Sequence, residues 1–239
     1  MVRGRRMLIW LALATLSVGL LGFGWRLASG REAGEPVIDC SSVGAILLDP
    51  GHGGIDGGAN LGGLLEKEIV LDIALRTERY LEANKIPVLL TRREDVDLGG
   101  RYDGGRLRRD LNHRIRMANR CQASFVLSIH VNSAANLSER GMMLFYQPSP
   151  WGRDAAFLFD DILRRWRLHQ RRERPHPRAD FAILRWSKAP AVLVELGFIT
   201  HPEDRQRLAD PTYREQVAQA LAAGCGAIWH QWVKQGSAR

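Results

Sequence analysis

Short apolar runs and amphipathic segments alternate along most of this 239-residue chain, and this alternation constrains the fold more than any other feature. The apolar runs predict five buried strands, at 44–49, 86–92, 124–131, 141–148 and 191–198. Charged and apolar residues at helical spacing predict four helices, at 66–85, 111–121, 151–169 and 211–233. Strands separated by helices favour an α/β fold, a three-layer open sheet with helices on both faces. The ligand of such a sheet usually binds beyond the strand ends.

Residues 1–30 predict an export segment. The arginines of MVRGRR precede an uncharged, mostly apolar run from Met7 to Trp25, which is long enough to cross a bilayer as a helix. Because such arginines stay on the inner side of the membrane, the rest of the chain would lie outside. We therefore predict a signal or membrane anchor over 1–30, a linker over 31–43 and a single domain over 44–235. The protein would be exported to the cell envelope, either anchored in the membrane or secreted.

The charge of the chain favours an anionic partner. The formal net charge is +8, which would suit nucleic acid, acidic lipid or an anionic cell-wall polymer. Export argues against nucleic acid, so no nucleic-acid partner is expected. Seven arginines are concentrated between Arg164 and Arg178. This run predicts a solvated helix end, with contact to a wall polymer or lipid as the main alternative and nucleic acid as a minor one.

Four ionisable residues lie where the predicted topology would place a ligand site. His52 follows the first strand within the stretch DPGHGGIDGGA, and His130 lies at the end of the third strand. Glu195 is inside the otherwise apolar strand AVLVELGF, where an ionised carboxylate is costly unless it is paired or near a metal. Glu66 opens the first helix. Taken alone, each has an ordinary explanation: a structural histidine, a structural ion pair or a partner of the helix dipole.

Together, these residues have the composition of a hydrolytic metal site. Two imidazoles and one carboxylate are the ligand set of many catalytic zinc centres, which keep a fourth position for water or substrate. A further carboxylate nearby can act as general base. The glycines around His52 would let the backbone turn tightly and admit a bulky substrate.

Five motifs, in this order, resemble a known enzyme family. They are DPGHGGIDGGA, EKEIVLDIA, LLTR, SIHVNS and PAVLVELGFITHPED, and the resemblance covers roughly residues 44–233. The family is that of the zinc-dependent N-acetylmuramoyl-L-alanine amidases of type 3. The resemblance implies an open α/β sheet sandwiched by helices, with a shallow substrate groove. The loop from Asp97 to Asp110 resembles the insertion of the spore-cortex, germination-specific branch.

Carried over motif by motif, the resemblance implies a role for each of the four residues. His52, Glu66 and His130 would bind one zinc ion, and Glu195 would be the catalytic glutamate. The expected reaction is metal-assisted hydrolysis of the amide between the lactyl group of N-acetylmuramic acid and L-alanine of the peptidoglycan stem peptide. Peptidoglycan would be the substrate, and an activating protein would be a further partner.

Three more residues are candidates for orienting the metal ligands or contacting the substrate: Asp49, Asn132 and Arg185. Capping of a turn or a strand end explains Asp49 and Asn132 equally well. The segment between Val131 and Asp180 leaves little room for a helix that covers the metal. We therefore predict an accessible site.

The remaining histidines and cysteines predict no second site. Cys40, Cys121 and Cys225 match no zinc or disulfide framework, so three buried, unbonded thiols are expected. In an exported chain, one bridged pair is the alternative. Five histidines are expected at the surface: His113, His169, His176, His201 and His230.

Two other functions fit the same residues. A zinc peptidase that cuts within the stem peptide would share the metal ligands and differ only in the bond cleaved. A wall-binding protein without catalysis would share the fold. The presence of all four expected residues favours the amidase over the wall-binding protein.

Overall fold

The structure is a computed structural model that describes residues 38, 40–169 and 171–233. All of these residues belong to one compact unit. The export segment predicted for 1–30 lies outside the described residues, as does most of the predicted linker. Within the described part of the chain, no helix is long and apolar enough to cross a membrane.

A six-stranded sheet lies at the centre of the fold, with the strand order β4-β1-β5-β8-β6-β7. Strands β4, β1, β5 and β8 are parallel, whereas β6 is antiparallel to β8 and pairs in parallel with β7. Strands β2 and β3 form a separate antiparallel pair. The strands are β1 (Ile46–Pro50), β2 (Asn60–Leu61), β3 (Leu64–Leu65), β4 (Val88–Leu90), β5 (Phe125–Asn132), β6 (Met143–Tyr146), β7 (His176–Pro177) and β8 (Ala191–Phe198).

Helices cover both faces of this sheet, which confirms the predicted three-layer α/β fold. They are α1 (Glu66–Ala83), α2 (Arg106–Arg120), α3 (Pro150–Arg165), α4 (Ala182–Trp186), α5 (Pro202–Ala209) and α6 (Pro211–Ile228), with a π-helical turn over Trp229–Val233. Helices α1, α3 and α6 pack on one face and share its apolar core. Helices α2 and α4 pack on the other.

The central strands are apolar on both sides because both sides are covered. In β1, Ile46 and Leu48 belong to one core and Leu47 to the other, and all three side chains are buried. Phe125 of β5 stacks on Phe159 of α3 with ring centroids 5.8 Å apart. Each such side chain contributes roughly 1.5–3 kcal/mol by its burial, so the core holds the strand ends in fixed positions.

The structure differs from the prediction in the segment 97–110. This segment was expected to be a loop as far as Asp110, but α2 begins at Arg106, directly after Gly105. Arg106 pairs with the Asp97 carboxylate, and Arg114 donates to Asp110 one helical turn away. Because these charges are satisfied locally, the polar first turn is helical despite its lack of an apolar pattern. Helices α4 and α5 were not predicted, since they are too short to show a periodic pattern.

The expectation of three unbonded cysteines is wrong. Cys40 and Cys121 form a disulfide across a sequence separation of 81, and only Cys225 is a buried free thiol. Cys121 caps the end of α2, and the chain before β1 runs beside it, with Gly44 N donating to Cys121 O. This proximity arises from the tertiary fold, so the spacing of the cysteines could not reveal it.

Two histidines expected at the surface are buried. His113 is 2% exposed and His169 is 4% exposed. His169 Nδ1 lies 2.6 Å from the carboxylate of Asp160, which is itself buried in α3. Burial, together with neighbouring charges, holds the pKa of His169 below its usual value. This histidine is part of the core rather than of the solvated surface.

The arginine-rich run is largely taken up by ion pairs. As predicted, it includes a helix end, since α3 ends at Arg165. Beyond that point, several arginines form ion pairs with carboxylates of the same chain. Within the described residues, at least four of the arginines have acidic partners: Arg164 with Asp160, Arg171 with Glu139 and Glu173, Arg174 with Asp160, and Arg178 with Asp180.

Candidate metal centre

His52 lies in the loop that follows β1. Its backbone φ is 60°, in the left-handed region that residues with a β-carbon rarely adopt. Three carbonyls around it are held by buried arginines: Arg114 donates to Pro50 O and His52 O, and Arg92 donates to Gly51 O. These bonds hold the loop in a conformation that would otherwise be costly.

Two glycines of this loop are required by the neighbouring side chains. A methyl group at Gly51 would overlap the His130 ring. At Gly58, where φ is +65°, a methyl group would collide with Glu66 and His52. The expectation that the glycines leave space for a substrate is therefore wrong at these two positions. Their missing side chains let His130, His52 and Glu66 approach one another.

Glu66 is the first residue of α1, and its carboxylate is fully engaged. Oε2 accepts a hydrogen bond from Ala59 N (2.8 Å), and Oε1 accepts one from Val131 N (2.9 Å). Burial alone would raise the pKa of Glu66, but hydrogen bonds with His130 and His52 outweigh it and hold the pKa well below its usual range. The carboxylate is therefore ionised, and it faces the histidines rather than capping the helix.

The structure brings together His52, Glu66 and His130. One donor atom from each side chain lies within 4.8 Å of the others. Glu66 Oε1 is 3.2 Å from His52 Nε2 and 2.9 Å from His130 Nδ1. The imidazole side chains of His52 and His130 are 25% and 22% exposed, so the cluster is accessible from solvent.

Asp56 also contacts this cluster, and the sequence did not single it out. Its Oδ2 is 3.0 Å from His52 Nδ1, so it orients the ring with Nε2 towards Glu66. Burial lowers the pKa of His52, but Glu66 and Asp56 outweigh it and raise the pKa to about 9. A carboxylate on the second nitrogen of a histidine is the usual companion of a metal ligand. Its place four residues after His52 was the signal available in the sequence.

Asp49 stabilises the structure next to the cluster through hydrogen bonds and does not contact the histidines. It accepts hydrogen bonds from Arg114 Nη1 (2.8 Å), Ser128 Oγ (2.7 Å) and Thr91 Oγ1 (2.8 Å). Arg114 also donates to Asp110 Oδ1 at 2.6 Å, and all three charged groups are buried. Asp49, Asp110 and Arg114 form a paired network, here called the floor. The importance of Arg114 was not predicted.

Glu195 lies beside the cluster without a comparable set of partners. Strands β5 and β8 pair His130 with Glu195, and the two side chains line the same cavity as His52. Among the described residues, no group forms a hydrogen bond to Glu195 Oε2, although this oxygen is buried. Burial raises the pKa of Glu195 to about 7, and electrostatic interaction with His130 and His52 offsets only part of this effect. A carboxyl group in this environment can take and release a proton near neutral pH.

The cavity at this site measures about 130 Å³ and is lined by both polar and apolar residues. Its apolar lining includes Leu107 and Leu111 of α2 together with Phe181 and Ile183. Two predicted candidates do not line it. Asn132 accepts a hydrogen bond from Ser133 N at the end of β5, which fits a strand-end cap. Arg185 lies in a separate depression.

The cluster has the donors that a metal site needs. Two imidazole nitrogens and an ionised carboxylate converge, and a buried carboxylate without a hydrogen bond on one oxygen lies in the same cavity. Within the described residues, no other set of three or more histidine, cysteine or acidic side chains converges in this way. His52, Glu66 and His130 could therefore hold a metal ion, with Glu195 placed to move a proton beside it.

The sequence and the fold both match known amidases. Residues 46–227 match the sequence profile of the family described as N-acetylmuramoyl-L-alanine amidase. The chain is 34% identical to the germination-specific N-acetylmuramoyl-L-alanine amidase of Bacillus subtilis (strain 168) over 187 residues, which cover 75% of this chain and 77% of that protein.

Two solved structures are similar to this one. The CwlD amidase of Clostridioides difficile, solved in complex with the GerS lipoprotein, has a TM-score of 0.73 and 28% identity, with 77% of this chain and 96% of that chain covered. The N-acetylmuramoyl-L-alanine amidase AmiC2 of Nostoc punctiforme has a TM-score of 0.66 and 35% identity, with 78% and 97% covered. Since the family profile spans most of the sequence, the chain belongs to the N-acetylmuramoyl-L-alanine amidase family and is a peptidoglycan amidase.

Proposed function

We propose that this chain is an exported zinc amidase that cleaves the bond between the lactyl group of N-acetylmuramic acid and L-alanine of the stem peptide. One observation carries the proposal: His52, Glu66 and His130 converge beside Glu195, a buried carboxylate with a raised pKa. Two imidazoles and one carboxylate are a donor set that zinc accepts readily, and one zinc ion per chain would occupy the cluster.

Zinc, when bound, would polarise the amide carbonyl and lower the pKa of a water molecule. In our proposal, Glu195 takes one proton from the attacking water at its unpartnered oxygen. It then passes this proton to the nitrogen of L-alanine as the carbon–nitrogen bond breaks. The balance is one water consumed, with one lactyl carboxylate and one free α-amine produced. Asp56 orients the His52 ring, and the floor fixes the backbone from which His52 projects.

The test is digestion of purified peptidoglycan by the zinc-loaded full chain, with the products identified by mass spectrometry. The proposal expects free stem peptides that begin with L-alanine, and no products after treatment with a chelator. Cleavage between amino acids of the stem would replace the amidase with a peptidase. Metal analysis of His130→Ala tests the ligand assignment, because retention of one equivalent of zinc would contradict it.

The proposed location is outside the cytoplasm. The segment 1–30 would direct export and would anchor the chain or be removed, with 31–43 as linker and 44–235 as catalytic domain. The disulfide between Cys40 and Cys121 supports this location, since disulfides persist in oxidising compartments. Protease treatment of intact cells tests it: the chain should be digested without breaking the inner membrane.

We further propose spore cortex as the wall material and a protein partner as the activator. The similarity to the germination-specific amidase of Bacillus subtilis supports the first. The similarity to an amidase solved with a lipoprotein supports the second. When the gene is deleted, every lactyl group of the cortex should still carry its stem peptide. A cortex of unchanged composition would contradict the sporulation role.

A further inference from the structure

A second depression lies on the far side of α4 from the metal centre. Ala182 and Ile183 of this short helix line the metal cavity, whereas Leu184 and Arg185 line the second depression. The second depression is close to the start of β8, because Gln147, one of its lining residues, donates a backbone hydrogen bond to Ala191 O. Glu195 is four residues further along β8, or about 13 Å along the strand. This feature is called the distal depression and measures about 400 Å³.

One exposed tryptophan lines the distal depression, and a second lies beside it, against the lining residue Arg185. Trp151, at the start of α3, lines it and is 57% exposed. Trp186, at the end of α4, is 58% exposed, and the Arg185 guanidinium lies 4.8 Å from its ring centroid. Indole rings are large apolar surfaces, and exposed apolar groups gathered at one concave surface are typical of a ligand-binding groove.

The backbone that presents these side chains is held in place. Asn119 of α2 donates to Trp186 O (3.0 Å) and accepts from Lys188 N (2.8 Å). Gln147 Nε2 donates to Ser187 O at 2.7 Å. The amino end of α3, next to Trp151, is capped by Ser149. The surface is therefore preorganised, which reduces the entropic cost of binding.

The charge of the distal depression is positive. Arg185 and Lys188 line it, and no carboxylate is among its lining residues. The acidic side chains nearest in sequence are already paired, Asp154 with Arg153 and Asp180 with Arg178. The depression and its edge therefore combine aromatic faces with two cations that form no ion pair among the described residues, which suits a ligand that has flat apolar faces and carboxylates.

We propose that the distal depression binds the glycan strand from which stem peptides have been removed. The C–H faces of pyranose rings would stack on Trp151 and Trp186. Arg185 and Lys188 would pair with the lactyl carboxylates that hydrolysis exposes. This inference rests on the proposed function, because an intact lactyl amide carries no charge at that position. The enzyme would thereby stay on a strand that it has already cleaved, with its metal centre near the next stem.

Binding of stripped glycan by the full chain tests this proposal. Glycan strands are freed of their stems by an unrelated amidase, and the chain carries Glu195→Gln so that it cannot alter the ligand. Trp151→Ala combined with Trp186→Ala should weaken binding by about tenfold, the loss expected for two aromatic contacts of ordinary strength. Trp166→Ala is the matched control, since Trp166 is 44% exposed but lines a different depression, and this variant should bind like the parent. Unchanged binding by the double variant, with its fold verified by circular dichroism, would overturn the proposal.

The role of the cations has its own test. Glycan whose lactyl carboxylates are capped as neutral amides should bind more weakly than uncapped glycan, and Lys188→Ala should reduce this preference. Equal binding of the two glycans would overturn the assignment of Arg185 and Lys188. The outcome is separable from that of the amidase test. A chain that binds stripped glycan but cleaves no lactyl amide would refute the proposed function alone, and cleavage without glycan binding would refute the distal site alone.

Discussion

The floor and the strand that carries Glu195 both bury charge, but only the floor balances it. In the floor, Arg114 donates to both Asp49 and Asp110. Burial tends to raise the pKa of Asp49, but Arg114 and Ser128 outweigh it and hold the pKa below its usual value. Glu195, in contrast, has a buried oxygen without a hydrogen bond among the described groups, and its pKa is raised to about 7.

This difference distinguishes a carboxylate that stabilises the structure from one that can exchange protons. A carboxylate with several donors stays ionised at any physiological pH, so it can hold a loop but cannot exchange protons. A carboxyl group in an apolar setting is destabilised when ionised, which makes it responsive near neutral pH. The fold therefore places a fixed charge network under the histidine loop and a titratable group beside it.

The largest expected effect comes from removing the proton acceptor. Glu195→Gln keeps the shape of the side chain but cannot accept a proton. Amide hydrolysis should fall by roughly 10²–10⁴-fold, the usual contribution of general acid–base catalysis. Release of stem peptides from peptidoglycan measures the rate, and bound zinc, which should stay at one equivalent, is the control. A variant with undiminished turnover would exclude Glu195 as the catalytic group.

Breaking the floor should mainly affect stability. Arg114→Ala would leave Asp49 and Asp110 buried without their partner, at a cost of about 3–5 kcal/mol in the free energy of unfolding. Urea denaturation measures this cost. Arg108→Ala, an exposed position on the same helix, is the matched control and should change stability by less than about 0.5 kcal/mol. Equal effects from the two substitutions would show that the floor is not a stabilising network.

The raised pKa of Glu195 predicts a pH-dependent stability in the metal-free protein. A glutamate ordinarily titrates near 4.5, whereas Glu195 titrates near 7 in the fold. Folding therefore opposes its ionisation, and wild-type stability should fall as the pH rises through this window. Glu195→Gln should exceed the wild type by up to about 3 kcal/mol at pH 8, and by much less at pH 5. Unfolding free energies at the two pH values test this, and a constant difference would contradict it.

The smallest expected effect concerns the orientation of His52. Asp56→Asn would remove the carboxylate from His52 Nδ1 and lower the affinity for zinc by about 10–100-fold. Competition with a coloured chelator measures this affinity. Asp103→Asn changes an exposed carboxylate elsewhere and should leave the affinity unchanged. If the two variants bound zinc equally, Asp56 would have no part in positioning the ligand.

The sequence predicted the central strands, and it singled out four candidate site residues that the structure places close together, for physical reasons. Strands such as β5 and β8 are continuous apolar runs, because both of their faces are covered, and a polar residue in such a run stands out. Glu195 and His130 were singled out in this way. Five motifs in one order then led to the family.

The supporting charges could not be found in the same way. Arg114 lies in a stretch of polar residues that has the composition of a solvated helix, and its burial depends on the packing of α2 against the end of β1. The Cys40–Cys121 bond likewise joins segments that only the tertiary fold brings together. Arg185 was expected near the substrate, but the turn of α4 places it in the distal depression instead. Such positions depend on packing between elements, which local pattern does not encode.

The disulfide has a mechanical consequence. Cys40 precedes β1 by a few residues, and its partner Cys121 ends α2. Tension applied to the chain upstream of Cys40 would pass through the covalent bridge into the body of the domain rather than along β1. Strand β1, which ends at the His52 loop, would therefore carry less of this force. Under the anchoring proposed above, the candidate metal ligands would therefore keep their relative positions while the anchored chain is pulled.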